Sequence, residues 1–597
     1  MNTEQRICQN CKQQFVIEPD DFAFYEKIKV PPPTWCPMCR AWRRMAFRDY
    51  RALHKRKDDW NGKEIFSIFS NTSPFKVYNR DAWWSDAWDP RDYGRDYDFS
   101  KTFFAQMREL MRAVPMPAQT AWNMANSAYC TGAHDLKNCY LVFVATNCED
   151  CMYCAEINQT KSSLDLLRAE STESSYHSFG LTKCYRTFFS SHCEDCVDVW
   201  FSRDCQGCNN CFGCANLRNK SYHIFNQPHS NSEYEKKLKE FRTSSHQSLA
   251  EARARAEEFW KSQVVRSSHG RHNANASGEY VSNSKNVRGS YFVNGGEDCR
   301  YAQYLFIPTS KDCMDVTQYG DTIELVYEVS SCGAQSSGIK FSYRVSTGSS
   351  DCEYCTQCIS VSHCFGCAGL QKKEYCILNK QYTKEEYEIL VPKIKDHMNK
   401  MPFIDKKGRT YAYGEFFPPE LAPFTYNETM AKDFFPLAKE EALAEGYMWK
   451  DFEGRSYAVT LTAAQLPDDI TDVPDSIAKE VIGCAHGGLA SSKCSHECTE
   501  AFRITPQEVQ FYRRMNLPLP RLCHNCRHYD RVRLQSPMKL WNRKCQCAGM
   551  VSENSTYKNL SRHRHAAEHC PNEFDTSYAP DRPEIVYCED CYNAEIA

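Results

Sequence analysis

The sequence predicts a multi-domain protein in which small cysteine-knuckle modules at both ends flank a central, duplicated, cysteine-rich parallel β-solenoid carrying a helical insert. Three observations predict it. A pattern of paired cysteines near the amino terminus returns near the carboxyl terminus at a constant offset of 487 residues. Residues 126–400 fall into two related units. Within each unit, cysteines recur at a short fixed spacing, separated by aromatic and β-branched runs, as expected where each strand stacks on a near-identical neighbour.

The first terminal copy, in residues 1–57, runs Cys8-x2-Cys11, then 24 residues, then Cys36-x2-Cys39. The second, in residues 484–544, runs Cys494-x3-Cys498, then 24 residues, then Cys523-x2-Cys526. The match continues through Phe15 with Phe502, Pro19 with Pro506, Phe24-Tyr25 with Phe511-Tyr512, and Arg40 with Arg527. Two close pairs of cysteines can surround one tetrahedral metal ion, and modules this short have too little apolar core to fold without help. Zinc is therefore the expected cofactor, at two to three ions per chain. With C-x2-C-x3-F, a Phe-Tyr pair, a proline before the second knuckle and C-x2-C-R, these modules resemble the zinc-ribbon or treble-clef domain of many uncharacterised bacterial proteins. The resemblance covers about residues 5–56 and 490–545. It implies a treble-clef-like zinc fold and no particular activity. The extra residue in Cys494-x3-Cys498 leaves Cys484 or His496 able to substitute as a ligand. A third, divergent module at 545–597 has a clear second knuckle, Cys588-x2-Cys591, and Cys570 four residues before Phe574. Its remaining ligand reads first as His565, with Cys547, Cys545, His563 and His569 as rivals.

A chain of 597 residues has room for several domains and a large core. Its net charge of -3 creates no global field toward nucleic acid or membrane. There is no apolar run of 18 residues, and Met1–Cys11 is largely polar, so the chain reads as cytoplasmic and without a membrane partner. In that setting its 35 cysteines read as thiols and metal-bound thiolates rather than disulfides.

After Cys39 a helix is expected from Pro37 to His54. On it Arg40, Arg44, Arg48, Arg51 and Lys55 share one sector, with Arg43 beside them and Trp42, Met45, Ala46 and Leu53 opposite. The expectation is that the tryptophan face packs and the basic face points outward toward phosphates. Residues 58–125 form an aromatic-rich connector containing Trp83 and Trp84, with a helix at Lys101–Val114 ended by Pro115.

The first solenoid unit spans 126–230 and the second 281–400. Cys205, Cys211 and Cys214 align with Cys358, Cys364 and Cys367 at an offset of 153. Cysteines recur nine apart at Cys130, Cys139 and Cys148, and at Cys196, Cys205 and Cys214. Between them lie short strand-like runs such as Val197–Phe201. A string of small antiparallel metal modules is the alternative. The run Cys205, Cys208, Cys211, Cys214 is close to the iron–sulfur spacing of bacterial ferredoxins, but its last interval is one short and Val361 replaces Cys208 in the second unit. Buried structural thiols are the first reading of these clusters, additional metal sites the second. Between the units, residues 231–280 read as a helical insert and linker; capping boxes stand at Ser230/Glu233 and Thr383/Glu386. Residues 401–483 read as a capping connector with a helix at Asp433–Ala444, Pro436 being tolerable in its first turn. In the second module Thr505-Pro-Gln-Glu508 starts a helix, and Arg527, Arg531 and Arg533 echo the basic helix.

There is no P-loop, dinucleotide motif, H-E-x-x-H or G-x-S-x-G, so no enzyme is expected. Two readings remain: association with nucleic acid, RNA before DNA, through the basic helices; or a protein-interaction scaffold along the solenoid with purely structural zinc. Basic helices on one open face favour the first, and basic helices buried against acidic segments favour the second.

Overall fold

The computed structural model describes residues 2–451, 457–487 and 497–596. At its centre are two stacks of short parallel strands. In the first, eleven strands from Ala121–Ala125 to Gln227–Pro228 lie side by side in sequence order. All pair in parallel except the last two, Ser221–Ile224 and Gln227–Pro228, which form an antiparallel hairpin. The second stack begins at Gly278–Ser282 and continues through an eight-stranded and a four-stranded sheet.

The register shows how these stacks are built. Ala121 faces Ala133, Thr131 faces Phe143, and Val197 faces Asn209, so each strand meets the chain twelve residues further on. The second stack advances by 12 at Gly278–Ser290, by 14 at Gln303–Thr317 and by 13 at Ser330–Tyr343. Within each twelve-residue repeat the backbone follows a three-residue rhythm. Asn147, Asp150, Tyr153, Glu156, Gln159 and Ser162 all have φ near +50°. Their neighbours Cys148, Cys151, Cys154, Ile157, Thr160 and Ser163 are all buried. A left-handed residue costs an ordinary side chain about 1–2 kcal/mol, which is why Asn, Asp, Ser and Gly recur at these corners. The inward positions take small side chains, chiefly Cys, Ala, Ser, Thr, Val and Leu.

This rhythm corrects the nine-residue period. The strand repeat is twelve, and cysteine spacings of three, nine and twelve are all multiples of the triplet. The nine-residue interval has its own cause: the thiol of one cysteine donates to the carbonyl nine residues on, as in Cys139 to Cys148 (3.6 Å), Cys151 to Thr160 (3.4 Å) and Cys196 to Cys205 (3.5 Å). The ferredoxin-like run lies on four successive inward positions. Cys208 and Cys214 donate to the carbonyls of Leu217 and His223, each at 3.4 Å.

Helices cover the stacks. Ser230 and Thr383 cap Asn231–Glu240 and Lys384–Lys400 through reciprocal boxes, and His246–Lys261 completes the insert. Phe103–Ala113 ends before Pro115. The helix expected over Asp433–Ala444 is split into Ala431–Phe434 and Lys439–Ala444, because Pro436 lacks the N–H that would carry the helix across. The helix expected from Pro37 to His54 ends at Met45. Arg51 is left-handed, and His54–Lys57 forms a hairpin with Glu64–Ser67. No helix among the described residues is long and apolar enough to cross a membrane.

Candidate metal centres and their anchoring

Cys8, Cys11, Cys36 and Cys39 come together with all four sulfurs within 4.8 Å of one another. The first knuckle closes the hairpin of Glu4–Ile7 and Gln14–Ile17, and Cys36 caps the helix Pro37–Met45. The backbone N–H of Cys36 donates to Cys8 Sγ at 3.3 Å, and Asn10 Nδ2 to Cys39 Sγ at 3.4 Å. Such donors, together with the positive end of a helix, favour thiolate.

In the second module the set is Cys484, Cys498, Cys523 and Cys526. Cys484 stands where Cys8 does, since the N–H of Cys523 donates to Cys484 Sγ at 3.3 Å. Cys494 and the alternative His496 lie outside the described residues. In the third module Cys545, Cys570, Cys588 and Cys591 converge, and the N–H of Cys588 donates to Cys545 Sγ at 3.2 Å. Cys545 thus fills the position first assigned to His565, whose ring stands beside this set, with Nε2 3.3 Å from Cys591 Sγ. Each module therefore pairs the first sulfur of its set with the N–H that opens the second knuckle. That bond, rather than sequence spacing, identifies Cys484 and Cys545.

The residues fit a divalent cation. Hydrogen bonds from Cys36 and Cys39 push Cys8 below the ordinary thiol range, while bonds shared with Cys36 and Cys8 drive Cys39 above it. Four clustered sulfurs cannot ionise together unless a cation lies between them. All four positions are supplied by protein, which leaves no open site for substrate. No disulfide joins any of the described cysteines. In the stacks, burial pushes Cys130 and Cys148 up to about 12, so they stay protonated and inert.

The basic helices are the main correction to the sequence reading. Arg40, Arg43, Arg44 and Arg48 are buried rather than solvent-facing. Arg40 contacts Asp315 at 2.7 Å, and Arg44 reaches both Asp315 and Glu328 at 3.1 Å. Arg43 contacts Glu328 at 2.6 Å and lies over the Trp35 ring, 4.4 Å from its centroid. Arg48 pairs with Asp49 at 3.2 Å. Half-buried Arg51 donates to Asn525 of the second module at 3.2 Å, and exposed Lys55 pairs with Glu64 at 2.5 Å. Trp42, on the other side of the helix, donates to Tyr426 Oη at 2.7 Å. Both faces are covered, so a periodicity that normally separates core from solvent here separates an aromatic contact from an ionic one.

The second module repeats this anchoring. Arg527 and Arg531 each hold Asp165 at 2.8 Å. Arg40 donates to the Trp35 carbonyl at 2.6 Å and Arg527 to the Leu522 carbonyl at 2.9 Å. Asp165 and Asp315 both occupy left-handed corners, with φ of 55° and 56°. The docking is crossed: the amino-terminal module sits on the second stack, and the second module sits on the first. The third module joins the linker through parallel pairing of Val264–Arg266 with Ile585–Tyr587, and Tyr592 donates to Asn216 at 2.9 Å.

Where the stacks meet, Arg168 of the first lies 3.2 Å from the Phe292 ring centroid of the second. Nearby, His192, Asp204 and His269 form another close set. There both nitrogens of His269 are already engaged, Nδ1 by Glu279 at 2.7 Å and Nε2 by Asp204 at 3.2 Å.

No family model matches the chain, and no curated protein does. Among solved structures, one described as "putative acetyltransferase from Desulfovibrio desulfuricans G20" is similar over 49% of this chain and 75% of its own, at 11% identity and a TM-score of 0.10. A likeness of that extent carries no argument about fold or activity.

Proposed function

We propose that this chain is a non-catalytic scaffold in which zinc-bound modules fasten two β-solenoids side by side. The observation that carries the reading is the burial of the arginines: Arg40, Arg44, Arg527 and Arg531 are spent on Asp315 and Asp165 inside the molecule. The groups proposed for phosphate binding thus fasten one part of the chain to another. Winding of each stack into a solenoid is supported by the twelve-residue advance, by left-handed corners at every third residue, and by the ladder from Asn126 through Asn138 to Asp150, with bonds of 3.1 and 3.0 Å. Zinc is supported by three closed four-sulfur sets, since thiolates select soft or borderline metals.

A scaffold needs a surface for its partner. Ala121–Ala125 is paired on one side only, and an open strand edge is a template for an extended segment of another protein. Trp122 and Tyr129 are exposed beside it, next to a groove of about 270 Å³ lined by Ile65, Phe66 and Met124.

The test measures binding of single-stranded RNA and duplex DNA to the full chain at two salt concentrations, alongside thermal unfolding of Arg44→Ala. The scaffold reading expects no binding and a marked loss of stability. Salt-sensitive binding that Arg44→Ala weakens without destabilising the protein would refute it.

A further inference from the structure

The third module holds more ligands than one ion can use. Beside the four-sulfur set, Cys547, His563, His565 and Cys591 bring one ligand atom each within 4.8 Å of the others. Cys547 Sγ lies 3.1 Å from His563 Nδ1, and His565 Nε2 lies 3.3 Å from Cys591 Sγ. Cys591 belongs to both sets.

The outer nitrogen of each histidine is already engaged. His563 Nε2 is 2.8 Å from Glu595 Oε1, and His565 Nδ1 is 2.6 Å from the Glu568 carbonyl oxygen. A carbonyl only accepts, so His565 carries its proton on Nδ1 and presents a bare Nε2 to the cluster. Glu595 is held as an acceptor by the N–H groups of Leu560 (2.7 Å) and Ser561 (3.1 Å) and by the Tyr557 hydroxyl (3.0 Å). It therefore takes the His563 proton on Nε2 and leaves Nδ1 bare toward Cys547. Carboxylate or carbonyl partners behind the ring are what orient metal-ligating histidines. Cys547 and His563 are buried, and Asn559 Nδ2 donates to Cys547 Sγ at 3.2 Å.

We propose that Cys547, His563, His565 and Cys591 bind a second divalent ion of the zinc class, and that the Cys591 thiolate bridges it to the ion held by Cys545, Cys570 and Cys588. The proposal rests on the zinc reading of the four-sulfur sets. Charge favours the pair. Four thiolates around one dication leave two negative charges, whereas five thiolates and two neutral imidazoles around two dications leave one. The chain between Trp541–Lys544 and Glu573–Thr576 contains no helix or strand, and both its Cys547 end and its histidines meet the terminal helix at Cys591. An ion there supplies the folding energy that this long loop lacks.

Native mass spectrometry of the full chain, purified without chelator, tests the proposal. Wild-type protein should carry four ions, one for each of the three four-sulfur sets and one for the mixed set. His563→Ala/His565→Ala should carry one fewer. Three ions in wild type, unchanged in the double variant, would overturn the second ion and leave the zinc reading standing; no bound ions would overturn both. A measurement on wild type does not depend on the variant folding. In cobalt(II)-substituted protein a thiolate-bridged pair couples magnetically, so the electron paramagnetic resonance spin count should fall short of total cobalt by the two coupled ions. Uncoupled spin from every cobalt overturns the bridge.

Discussion

At the scale of single residues, the molecule depends on two aspartates that the sequence did not distinguish from dozens of others. Asp165 and Asp315 stand at left-handed corners, one in each stack, each gripped by two arginines of a cysteine module. Taking these charges out of water is costly, so the pairs contribute more to the specificity of docking than to net stability. Removing one partner is another matter, because it leaves buried guanidinium groups with no counter-charge. Asp165→Ala should destabilise the docking of His524–Val532 by about 3–5 kcal/mol, read as lost protection in native-state hydrogen exchange; a change within experimental error would show that the pairs are dispensable. The same pair sets an acid limit. Burial raises the Asp165 carboxyl, but Arg527 and Arg531 outweigh it and hold the group below the usual carboxylate range. Its stabilising contribution is therefore fully present above the unfolded value near 4 and is lost as pH falls through the depressed folded value. The arginines themselves were legible in sequence as a stripe at helical spacing. Their direction was not, because periodicity reports which residues share a face and not whether that face meets water or carboxylate.

At the scale of elements, the strands were legible and their period was not. Short strands, turn residues at corners and duplicated units all follow from composition. The true repeat is a triplet within a twelve-residue strand register, hidden because Cys, Ser, Thr, Ala, Val and Leu interchange at inward positions and only the cysteines draw the eye. This explains Cys205, Cys208, Cys211 and Cys214: they are filling, and their thiols donate to backbone carbonyls. Cys208→Ala/Cys211→Ala should leave the bound-metal count unchanged, with no visible absorption band lost, and should cost only a few kcal/mol at most, as small cavities do; loss of a metal ion would restore the cluster reading. Where one stack meets the other, a histidine makes the contact depend on pH. Burial opposes the charge on His269, but Glu279 and Asp204 outweigh it and push the imidazole up to about 9. A raised value means that this contribution is complete below about 6.5 and is lost as pH rises through about 9. Exchange of the strand Gly278–Ser282 should accelerate over that interval in wild type, and His269→Gln should abolish the pH dependence.

At the scale of the whole molecule, the duplicated parts are cross-connected. Module and stack appear twice in the chain, yet each module grips the stack that is not its neighbour in sequence. The amino-terminal helix Pro37–Met45 meets the strands Ser310–Gly320 and Ile323–Gly333 through Arg40, Arg43 and Arg44. The helix His524–Val532 meets Leu164–Glu170 through Asp165. Sequence proximity would suggest that loss of the first metal site disturbs only residues near the amino terminus, because a structural ion supplies the folding energy of its own module. The buried charges predict otherwise. Cys36→Ser should release the helix that follows Cys36, leave Asp315 and Glu328 buried without partners, and so loosen the second stack. The first stack, gripped by the other module, should keep its protection. Cys523→Ser should do the reverse, exposing the first stack and sparing the second. Hydrogen exchange of both variants, followed at Ser310–Gly320 and at Leu164–Glu170, separates the two patterns. Loss of protection that follows chain order instead, with Cys36→Ser opening the first stack, would sink the crossed arrangement, because the buried ion pairs of Arg40, Arg43 and Arg44 would then not account for which strands the module protects.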